Sequence, residues 1–516
     1  MSPISRLWLL TLLPGVLAAQ TPASIARAVN SITPDDVRRR VGILADDSML
    51  GRATPSPQLE QVAQFVAAEF RRFGLRPGGD NGGYLQRYGI VQRQLDTARA
   101  ALEIAGPAGS LTLKPGSGVN LLPFGPPPSR AVSGPIVLFA GPGDTLQPLV
   151  GTDVRGAWVV IIAKAEPAGL RITDPAPEAG LRAGAAGILV ISNRPDTMWQ
   201  SRMARLSRPT LTIPWKEAAD TTPRPALLEI RDADAARALG VDPAALRAQP
   251  TRTARRLEGI TLTYRPAYRE LSAASAPNVI GVLEGSDPQL KNEYVFFTGH
   301  MDHVGTPGAG QGCTARGSDS ICNGADDDAS GTVAVIEAAE AFSQLSPRPK
   351  RSLAFMTVSG EERGLWGSEY FSEYPTVPLA SIVAAVNTDM VGRNWRDTIA
   401  VIGKEHSDLG ATLNRVAAAH PELRMRPIDD IWPQENFYFR SDHYNFARKG
   451  IPILFFFNGT HADYHEVSDS PDKIDAEKEA RIVKLVFYLG LDIANAPQRP
   501  RWNPESYRKI VQRGEN

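Results

Sequence analysis

The sequence predicts an α/β fold in which a mostly parallel central sheet is flanked by helices. From residue 278 onward, short apolar strand-like runs alternate with helix-like stretches, which is the order that βαβ units produce. Polar residues follow the ends of these runs, at the place where open α/β sheets collect functional groups. The chain has 516 residues, 42% of them hydrophobic, enough for a large core and for more than one domain.

The strands and helices of this region can be assigned from apolar runs and their periodicity. Short, continuous apolar runs predict buried strands at 279–283, 294–298, 353–358, 382–387, 398–402 and 453–457. Longer stretches with apolar residues three and four apart predict helices at 332–342, 409–419 and 476–494. Alternating strands and helices favour parallel pairing, because the helix carries the chain back across the sheet.

Two helices are predicted near the start of the chain. Thr33 and Pro34 form a helix-start signal before residues 37–47, and Ser56 with Pro57 forms another. The second helix carries one apolar face and ends at Gly74. Nothing before residue 130 indicates catalysis, so we expect this part to serve packing.

A folded insertion is predicted at residues 131–255. A proline-rich stretch at 123–128 precedes it and is typical of a linker. Within the insertion, strands are predicted at 135–139, 158–164 and 188–192, and a helix-like segment at 176–187. The sequence thus predicts a separate module placed inside the main α/β pattern.

Charge and the N-terminal residues limit the partners and the location of the protein. The formal net charge is zero, so we expect no binding to nucleic acid or to anionic membrane surfaces. Arg6, an apolar run at 7–13 and small residues at 16–19 predict an export signal over residues 1–19. An uncleaved N-terminal anchor is the alternative, although the run is short for a membrane span. No other stretch is apolar enough to cross a bilayer, so we expect a secreted or periplasmic protein without stable membrane insertion.

Cys313 and Cys322 are the two cysteines of the chain. They lie nine positions apart, which does not match the usual paired-cysteine zinc motifs. In an oxidising compartment we expect a disulfide bond between them. Two free thiols are the alternative.

Five segments hold the residues that a hydrolytic metal centre needs. They are His300, an aspartate-rich turn at 326–328, the pair Glu361 and Glu362, Asp389, and His465. Histidine and carboxylate ligands suit zinc, and an aspartate that bridges two ions can hold them close together. Each residue alone has an ordinary explanation, such as a helix cap or a solvated turn. Together, at successive strand ends, they predict a metal site.

These segments resemble the motifs of the co-catalytic dizinc exopeptidases, metallopeptidase family 28, which includes secreted aminopeptidases and glutamate carboxypeptidase-like enzymes. The matching motifs are GHMDH at 299–303, GADDDASG at 324–331, GEERGL at 360–365, NTDMVG at 387–392 and YHEVSD at 464–469. The resemblance covers residues 276–495 well and 30–130 loosely. It implies a zinc exopeptidase fold, two Zn²⁺ ions and peptide substrates.

The resemblance also implies roles for individual residues. Asp327 corresponds to the aspartate that bridges the two ions, His300 and Asp389 complete one zinc site, and Glu362 and His465 complete the other. Asp302 is expected to orient His300 by accepting a hydrogen bond from its ring. Glu361 is expected to be the general base that activates a metal-bound water.

Less specific expectations concern the remaining residues near these motifs. Tyr464 could stabilise the oxyanion, with core packing as the alternative. The other histidines, five in number, are not expected to be primary ligands; they are His303, His406, His420, His443 and His461.

The insertion resembles the protease-associated domain, a small β-rich module, through the motif DVRG at 153–156 and RAGAAG at 182–187. That resemblance implies a gating role near the active site. The predicted domains are a signal peptide at 1–19, the peptidase domain at 20–130 and 256–496 with the insertion between, and a C-terminal tail at 497–516.

The expected function is a secreted zinc exopeptidase, most simply an aminopeptidase that hydrolyses terminal peptide bonds. A carboxypeptidase or dipeptidase with the same dizinc centre is the nearest alternative. A glutaminyl cyclase and a non-catalytic, receptor-like binding protein are more remote, and the complete ligand set argues against the binding protein.

Overall fold

The computed structural model describes residues 20–107, 109–122, 128–143, 147–163, 174–219 and 224–512. The predicted signal peptide and most of the predicted linker at 123–128 lie outside these residues. The chain divides into two compact units: one holds the described residues up to Tyr88 and from Ser275 onward, and the other spans Gly89–Ala274. All residues of the predicted metal site lie in the first unit.

The helices are numbered in chain order over the described residues. They are α1 Pro22–Asn30, α2 Pro34–Leu44, α3 Pro57–Arg72, α4 Ala176–Arg182, α5 Asp196–Leu206, α6 Pro214–Ala219, α7 Asp232–Leu239, α8 Pro243–Arg247, α9 Gly331–Ser343, α10 Trp366–Glu373, α11 Leu409–Ala419, α12 His443–Ala447, α13 Ala476–Asn495 and α14 Pro504–Tyr507.

The strands are numbered in the same way. They are β1 Arg76–Pro77, β2 Leu85–Leu95, β3 Ala101–Gly106, β4 Gly109–Leu113, β5 Val119–Leu121, β6 Val132–Ala140, β7 Trp158–Ile162, β8 Gly187–Ser192, β9 Thr210–Thr212, β10 Ala226–Arg231, β11 Thr253–Arg265, β12 Tyr268–Leu283, β13 Tyr294–His300, β14 Ser352–Val358, β15 Ile382–Thr388, β16 Thr398–Ile402, β17 Arg426–Ile428 and β18 Ile453–Phe457.

The sheet of the first unit is mixed, whereas the sequence predicted a mostly parallel one. Its order is β17-β16-β18-β15-β13-β14-β12-β2-β9, with β1 also paired to β12; β9 pairs with the part of β2 that lies in the second unit. The four central strands β18, β15, β13 and β14 are parallel, and β12 and β16 pair antiparallel with them. A parallel return needs a crossover long enough for a helix. Helices α9 and α10 provide that before β14 and β15, but the link from β15 to β16 contains none, so β16 runs the other way.

Local sequence explains where the helices of the first unit begin. The Thr33 hydroxyl accepts a hydrogen bond from the Asp36 backbone N–H at 3.1 Å, and Ser56 does the same for Leu59 at 3.0 Å. These caps satisfy amide groups that a helix start leaves unpaired. The predicted helix starts are therefore confirmed, within a few residues, by α2 and α3.

Helix α9 lies in the centre of the first unit's core. Phe342 on α9 contacts Phe297 on β13, with ring centroids 5.4 Å apart, and Phe487 on α13 at 4.6 Å. Phe297 also stacks on Phe355 of β14 at 5.2 Å. Aromatic contacts of this kind add to the stability that burial provides. They fix the helix that follows the aspartate-rich turn against the strand that ends in His300.

The second unit contains its own sheet, in the order β4-β3-β11-β6-β7-β8-β10-β5. The strands β6, β7, β8 and β10 are parallel, and the remaining pairs are antiparallel. The predicted insertion at 131–255 lies inside this unit, which starts earlier and ends later because β3, β4, β5 and the end of β11 belong to the same sheet. Its identity as a protease-associated domain stays a prediction.

One helix of the second unit is shorter than its sequence predicted. The helix-like segment at 176–187 forms a helix only over Ala176–Arg182. Gly184 takes a left-handed φ of 82°, a conformation that ends an α-helix and that glycine adopts at little cost. The chain then enters β8.

Cys313 and Cys322 form a disulfide bond with their Cα atoms 5.9 Å apart. The bond closes the loop between β13 and the aspartate-rich turn. No helix among the described residues is both long and apolar enough to cross a membrane.

Candidate metal centre

The predicted ligands gather at the carboxyl ends of the central parallel strands. His300 is the last residue of β13, Glu362 follows β14 by a short turn, and Asp389 directly follows β15. His465 lies in the loop after β18, and Asp327 lies in the turn before α9. The parallel strands thus bring residues far apart in sequence to one edge of the sheet.

The five side chains form two groups that share Asp327. His300 Nε2 lies 3.3 Å from Asp327 Oδ1 and 3.7 Å from Asp389 Oδ1. His465 Nε2 lies 3.1 Å from Asp327 Oδ2 and 3.2 Å from Glu362 Oε2. Each carboxylate oxygen of Asp327 therefore faces a different group, as a bridging ligand requires.

Unpaired polar atoms in this cluster fit a cation. Among the described residues, His465 Nε2 and Glu362 Oε1 are buried and have no hydrogen-bond partner. Leaving such atoms without a partner costs free energy, so native proteins rarely do it. Nitrogen and oxygen donors at these separations suit zinc, and they would supply the missing partner.

The backbone around two of these residues is in an unusual conformation. His465 has a φ of 58° and Met390, next to Asp389, has a φ of 53°. Side-chain-bearing residues seldom adopt this left-handed region, and it concentrates at functional sites where the surrounding structure maintains it. Both residues adjoin or belong to the predicted ligand set.

The aspartate-rich turn is held by a network of backbone hydrogen bonds. The Asp328 carboxylate accepts from the backbone N–H groups of His300 at 3.0 Å, Gly331 at 2.8 Å and Met390 at 3.2 Å. The Asp469 carboxylate accepts from the N–H of Asp327 at 3.1 Å. Asp328 thus ties three ligand-bearing segments together, while Asp327 keeps both oxygens directed into the site. The peptide bond between Asp327 and Asp328 is cis.

Two carboxyls of the centre, those of Asp327 and Glu362, have a lowered pKa. At Asp327, burial acts to raise the pKa, but the neighbouring rings of His303, His300 and His465 outweigh burial and hold the pKa of the Asp327 carboxyl well below its usual range. The residue is therefore ionised, as a ligand must be.

The ring of His300 is oriented by the backbone of Asp302 and not, as predicted, by the Asp302 carboxylate. His300 Nδ1 lies 3.1 Å from the backbone carbonyl oxygen of Asp302, whereas the Asp302 carboxylate is 3.8 Å away. That carboxylate instead accepts from the Thr54 hydroxyl at 2.8 Å and from the Glu361 N–H at 3.2 Å. Asp302 therefore positions the segment that carries Glu361 through its side chain, and His300 through its backbone.

Two supporting residues come from the part of the chain that was expected only to pack. Arg52 is fully buried and donates to the carbonyl oxygens of Met301 at 2.7 Å and Gly324 at 2.6 Å. Thr54 accepts from the Gly360 N–H at 3.1 Å as well as donating to Asp302. Neither residue lies in a recognisable motif. Arg52 donates to backbone carbonyl oxygens of distant loops, and every residue type has such an oxygen, so the sequence does not reveal the contact.

Glu361 belongs to neither group of ligands. Its side chain lines the cavity beside the centre. Burial, with the nearby carboxylates of Glu362, Asp442 and Asp389, raises the pKa of the Glu361 carboxyl well above its usual range despite the opposing effect of His300. A raised carboxyl pKa near a reaction centre is typical of a residue that accepts and returns a proton.

The cavity combines acidic, aromatic and cationic side chains. Tyr464 also lies here and stacks on the ring of His465, with centroids 3.9 Å apart. The residues lining the cavity are His300, Asp327, Glu361, Asp389, Met390, Phe437, Arg440, Ser441, Phe455, Phe457, Thr460 and Tyr464.

The remaining histidines fall into three environments. His303, which belongs to the GHMDH motif but was not expected to be a primary ligand, is fully buried with its ring beside Glu362. His461 Nε2 lies 3.1 Å from Asp326 Oδ2, and His443 Nε2 lies 2.8 Å from the Tyr438 carbonyl oxygen. His406 and His420 contact other side chains away from the cavity.

Comparison with known proteins identifies the domain that carries this centre. A "Probable zinc metalloprotease" of Pyrenophora teres f. teres is 24% identical over 265 residues, 43% of this chain and 53% of that protein. A "Probable leucine aminopeptidase" of Trichophyton verrucosum is 25% identical over 237 residues, 43% of this chain and 64% of that protein. The chain thus spans about half to two thirds of these curated relatives.

One solved structure and one family model are also similar to this chain. The aminopeptidase from Aneurinibacillus sp. strain AM-1 is 19% identical, with a TM-score of 0.49, over 93% of this chain and 98% of that one. Residues 278–490 match the model for Peptidase family M28, and this range contains both groups of ligands around Asp327. Residues 278–490 are therefore a peptidase domain of family M28, and they contain every candidate ligand of the centre.

Proposed function

We propose that this protein is a zinc-dependent exopeptidase, most simply an aminopeptidase, with two zinc ions at the centre. The observation that carries the proposal is the pair of ligand groups that share Asp327, His300 with Asp389 on one side and Glu362 with His465 on the other. The family of the domain and the names of its relatives support a peptidase.

We propose that the residues around the centre support the attack of water on a peptide bond. Zinc held by these residues would polarise the scissile carbonyl and lower the pKa of a bound water molecule. Glu361 accepts the proton of the attacking water on its carboxylate and passes it to the nitrogen of the leaving amine. Tyr464, which lines the cavity and stacks on His465, is proposed to donate its hydroxyl to the developing oxyanion.

The cavity favours a substrate with a free ammonium group and an apolar side chain. The carboxylates of Glu361 and Asp389 line it and attract a cation, and the rings of Phe437, Phe455 and Phe457 offer an apolar surface. This combination of charged and apolar side chains supports an aminopeptidase activity.

One residue favours the alternative of a carboxypeptidase or dipeptidase. Arg440 also lines the cavity, where it lies over the Phe437 ring at 4.8 Å. A guanidinium in this position could pair with the terminal carboxylate of a peptide.

Trimming of defined peptides separates the two activities. Peptides blocked at the amino end, blocked at the carboxyl end, or free at both are incubated with zinc-loaded protein, and the products are identified by mass. An aminopeptidase trims peptides with a free amino end and leaves the amino-blocked ones intact. The reverse pattern would favour the carboxypeptidase, and no trimming of any peptide would contradict an exopeptidase.

Zinc content tests the centre independently of the substrate. The purified protein is expected to hold about two zinc ions per chain. Asp327→Ala is expected to lower occupancy of both sites, because both groups share this residue. Unchanged zinc content in that variant would contradict the assignment of Asp327.

We further propose that the protein is exported. The signal-like N-terminal residues and the disulfide between Cys313 and Cys322 support an oxidising compartment. Fractionation of producing cells, with mass spectrometry of the mature N-terminus, tests this; full-length protein retained inside the cell would contradict it.

A further inference from the structure

His303 is a buried histidine whose ring nitrogens make no well-directed hydrogen bond within the described part of the chain. Its side chain is 0% exposed, and among the described residues neither Nδ1 nor Nε2 has a partner in hydrogen-bonding geometry. A neutral imidazole carries one donor and one acceptor, and burying both unpaired is costly. Packing alone gives no reason for an imidazole at this position.

The ring nitrogen of His303 lies among the ligands on one side of Asp327. Nδ1 is 2.8 Å from Glu362 Oε1 and 3.7 Å from Asp327 Oδ2. His465 Nε2 approaches the same two carboxylates, at 3.1 and 3.2 Å. One ligand atom from each of these four residues lies within 4.8 Å of every other. Ligands of tetrahedral zinc with bonds near 2.0–2.1 Å lie about 3.3 Å apart, and the four nitrogen–oxygen distances given above, 2.8, 3.7, 3.1 and 3.2 Å, are close to that spacing.

The position of the ring is fixed by its surroundings. A Cβ at Gly324 would meet the His303 ring at 2.4 Å, so only glycine leaves room for it there. The ring packs edge-on against His465, with centroids 5.5 Å apart. His303 is thus held against Glu362 and His465 by the same turn that carries Asp327.

We propose that His303 is a fourth protein ligand, through Nδ1, of the ion held by Asp327, Glu362 and His465. The two sites are then unequal. This one has four protein ligands, as structural zinc sites do, whereas His300, Asp389 and Asp327 provide three and leave a position open, as catalytic sites do. The site that includes His303 fills first and holds its ion more tightly. This inference rests on the proposed zinc centre.

Zinc titration against a chelating indicator of known affinity tests the assignment. The wild-type protein takes up two ions in two unequal steps. His303→Gln weakens the tighter step by at least about 100-fold, since changes to residues that only orient ligands already cost about 10–100-fold. His303→Asp restores much of that affinity, because its carboxylate reaches a similar position.

His443→Gln is the matched control, because His443 is also a buried histidine but its Nε2 lies against the Tyr438 carbonyl oxygen, outside both ligand groups. It leaves both zinc steps unchanged. If His303→Gln also left both steps unchanged and only lowered the melting temperature of the metal-free protein, His303 would be a packing residue and the proposal would be overturned.

A measurement on the wild-type protein removes any dependence on how the variants fold. The chain contains seven histidines, and ¹⁵N-histidine labelling reports each ring nitrogen. Saturation with zinc shifts three imidazoles to the coordinated state if His303 is a ligand, and two if it is not. Absence of zinc uptake by the wild-type protein would contradict the zinc centre itself, whereas two coordinated imidazoles would overturn only the role of His303.

Discussion

Glu361 and Glu362 are adjacent residues with different surroundings, and the difference predicts separate effects of their substitution. Glu361 lies outside both ligand groups, and Glu362 lies within one. Glu361→Gln is expected to keep its zinc while kcat falls by a factor of roughly 10²–10⁴, the usual contribution of a general base. Substrate binding should change little, because the loss affects the transition state.

Glu362→Gln is the comparison for that experiment. It removes a charged ligand, so it is expected to lose zinc as well as activity. Zinc content by elemental analysis and kcat on an amino-acid anilide distinguish the two variants. A near-normal kcat in Glu361→Gln would disprove the proposed proton transfer even with the metal site intact.

The sequence motifs were sufficient to predict which side chains meet, but not every atom that they use. The five predicted ligands lie together because four of them end or follow strands of one sheet and the fifth, Asp327, lies in the turn before the helix that packs on that sheet. The atom that faces the His300 ring is the Asp302 carbonyl oxygen and not its carboxylate, a choice that depends on where Thr54 lies. The position of His303 depends on the space left by Gly324, which no periodicity in the sequence reveals.

At the scale of elements, the segment after α2 supports the aspartate-rich turn through Arg52. Arg52→Met keeps the length of the side chain and leaves the carbonyl groups of Met301 and Gly324 without their donor. Each buried acceptor left unpaired costs about 1–3 kcal/mol, so the free energy of unfolding should fall by roughly 3 kcal/mol. Zinc should also bind more weakly.

Urea unfolding and zinc titration of Arg52→Met check this prediction. Arg38→Met is the control, since Arg38 is exposed and its one ion pair among the described residues is with its neighbour Asp35 on α2. Its effect should stay within about 0.5 kcal/mol. Equal effects of the two substitutions would show that Arg52 does not support the site.

The disulfide acts on the loop between β13 and the aspartate-rich turn. Its cysteines are nine positions apart, and closing so short a loop contributes about 2–3 kcal/mol by restricting the unfolded chain. Replacing both cysteines by serine should therefore lower the free energy of unfolding by that amount, measured by chemical unfolding. Zinc stoichiometry should stay the same, since neither cysteine belongs to a ligand group; a loss of zinc would contradict this.

Continuous apolar runs were sufficient to predict the strands of the first unit, but the sequence did not predict the direction in which each strand runs. The six strands predicted from residue 278 onward are present, with β12 much longer than its predicted part. Apolar runs identify buried strands whichever way they point. The sheet is mixed because some connections between strands, such as the short one from β15 to β16, contain no helix. Strand direction can therefore be predicted only when both the length of each connection and the pairing of the strands are known.

At the scale of the whole molecule, removing zinc should destabilise the protein more as the pH rises. In the metal-free protein, burial raises the pKa of Glu361, Asp328 and Asp389 above the usual carboxyl range. A carboxyl whose folded pKa is raised stabilises the fold fully below its unfolded pKa of about 4, and this contribution is lost as the pH rises through the folded pKa. Zinc offsets these charges and binds only the folded chain.

Melting temperatures of zinc-loaded and chelator-treated protein, measured between about pH 4.5 and 8, check this expectation. The difference in melting temperature between the zinc-loaded and the zinc-free protein should increase with pH, because the ligands also deprotonate and bind zinc more tightly. A difference in melting temperature that stays constant or decreases with pH would show that the buried carboxylates do not control the stability of the zinc-free protein.

The contacts of Arg52 and Thr54 bear on how the protein is made. These residues are synthesised early, yet the loops that they hold lie beyond residue 300, and His465 emerges later still. The ribosome must therefore deliver nearly the whole chain, including the unit between Gly89 and Ala274, before the centre can close. For the same reason, a gene fragment limited to residues 278–490 encodes every proposed ligand but neither Arg52 nor Thr54, so it lacks two residues that hold the loops of the site in place.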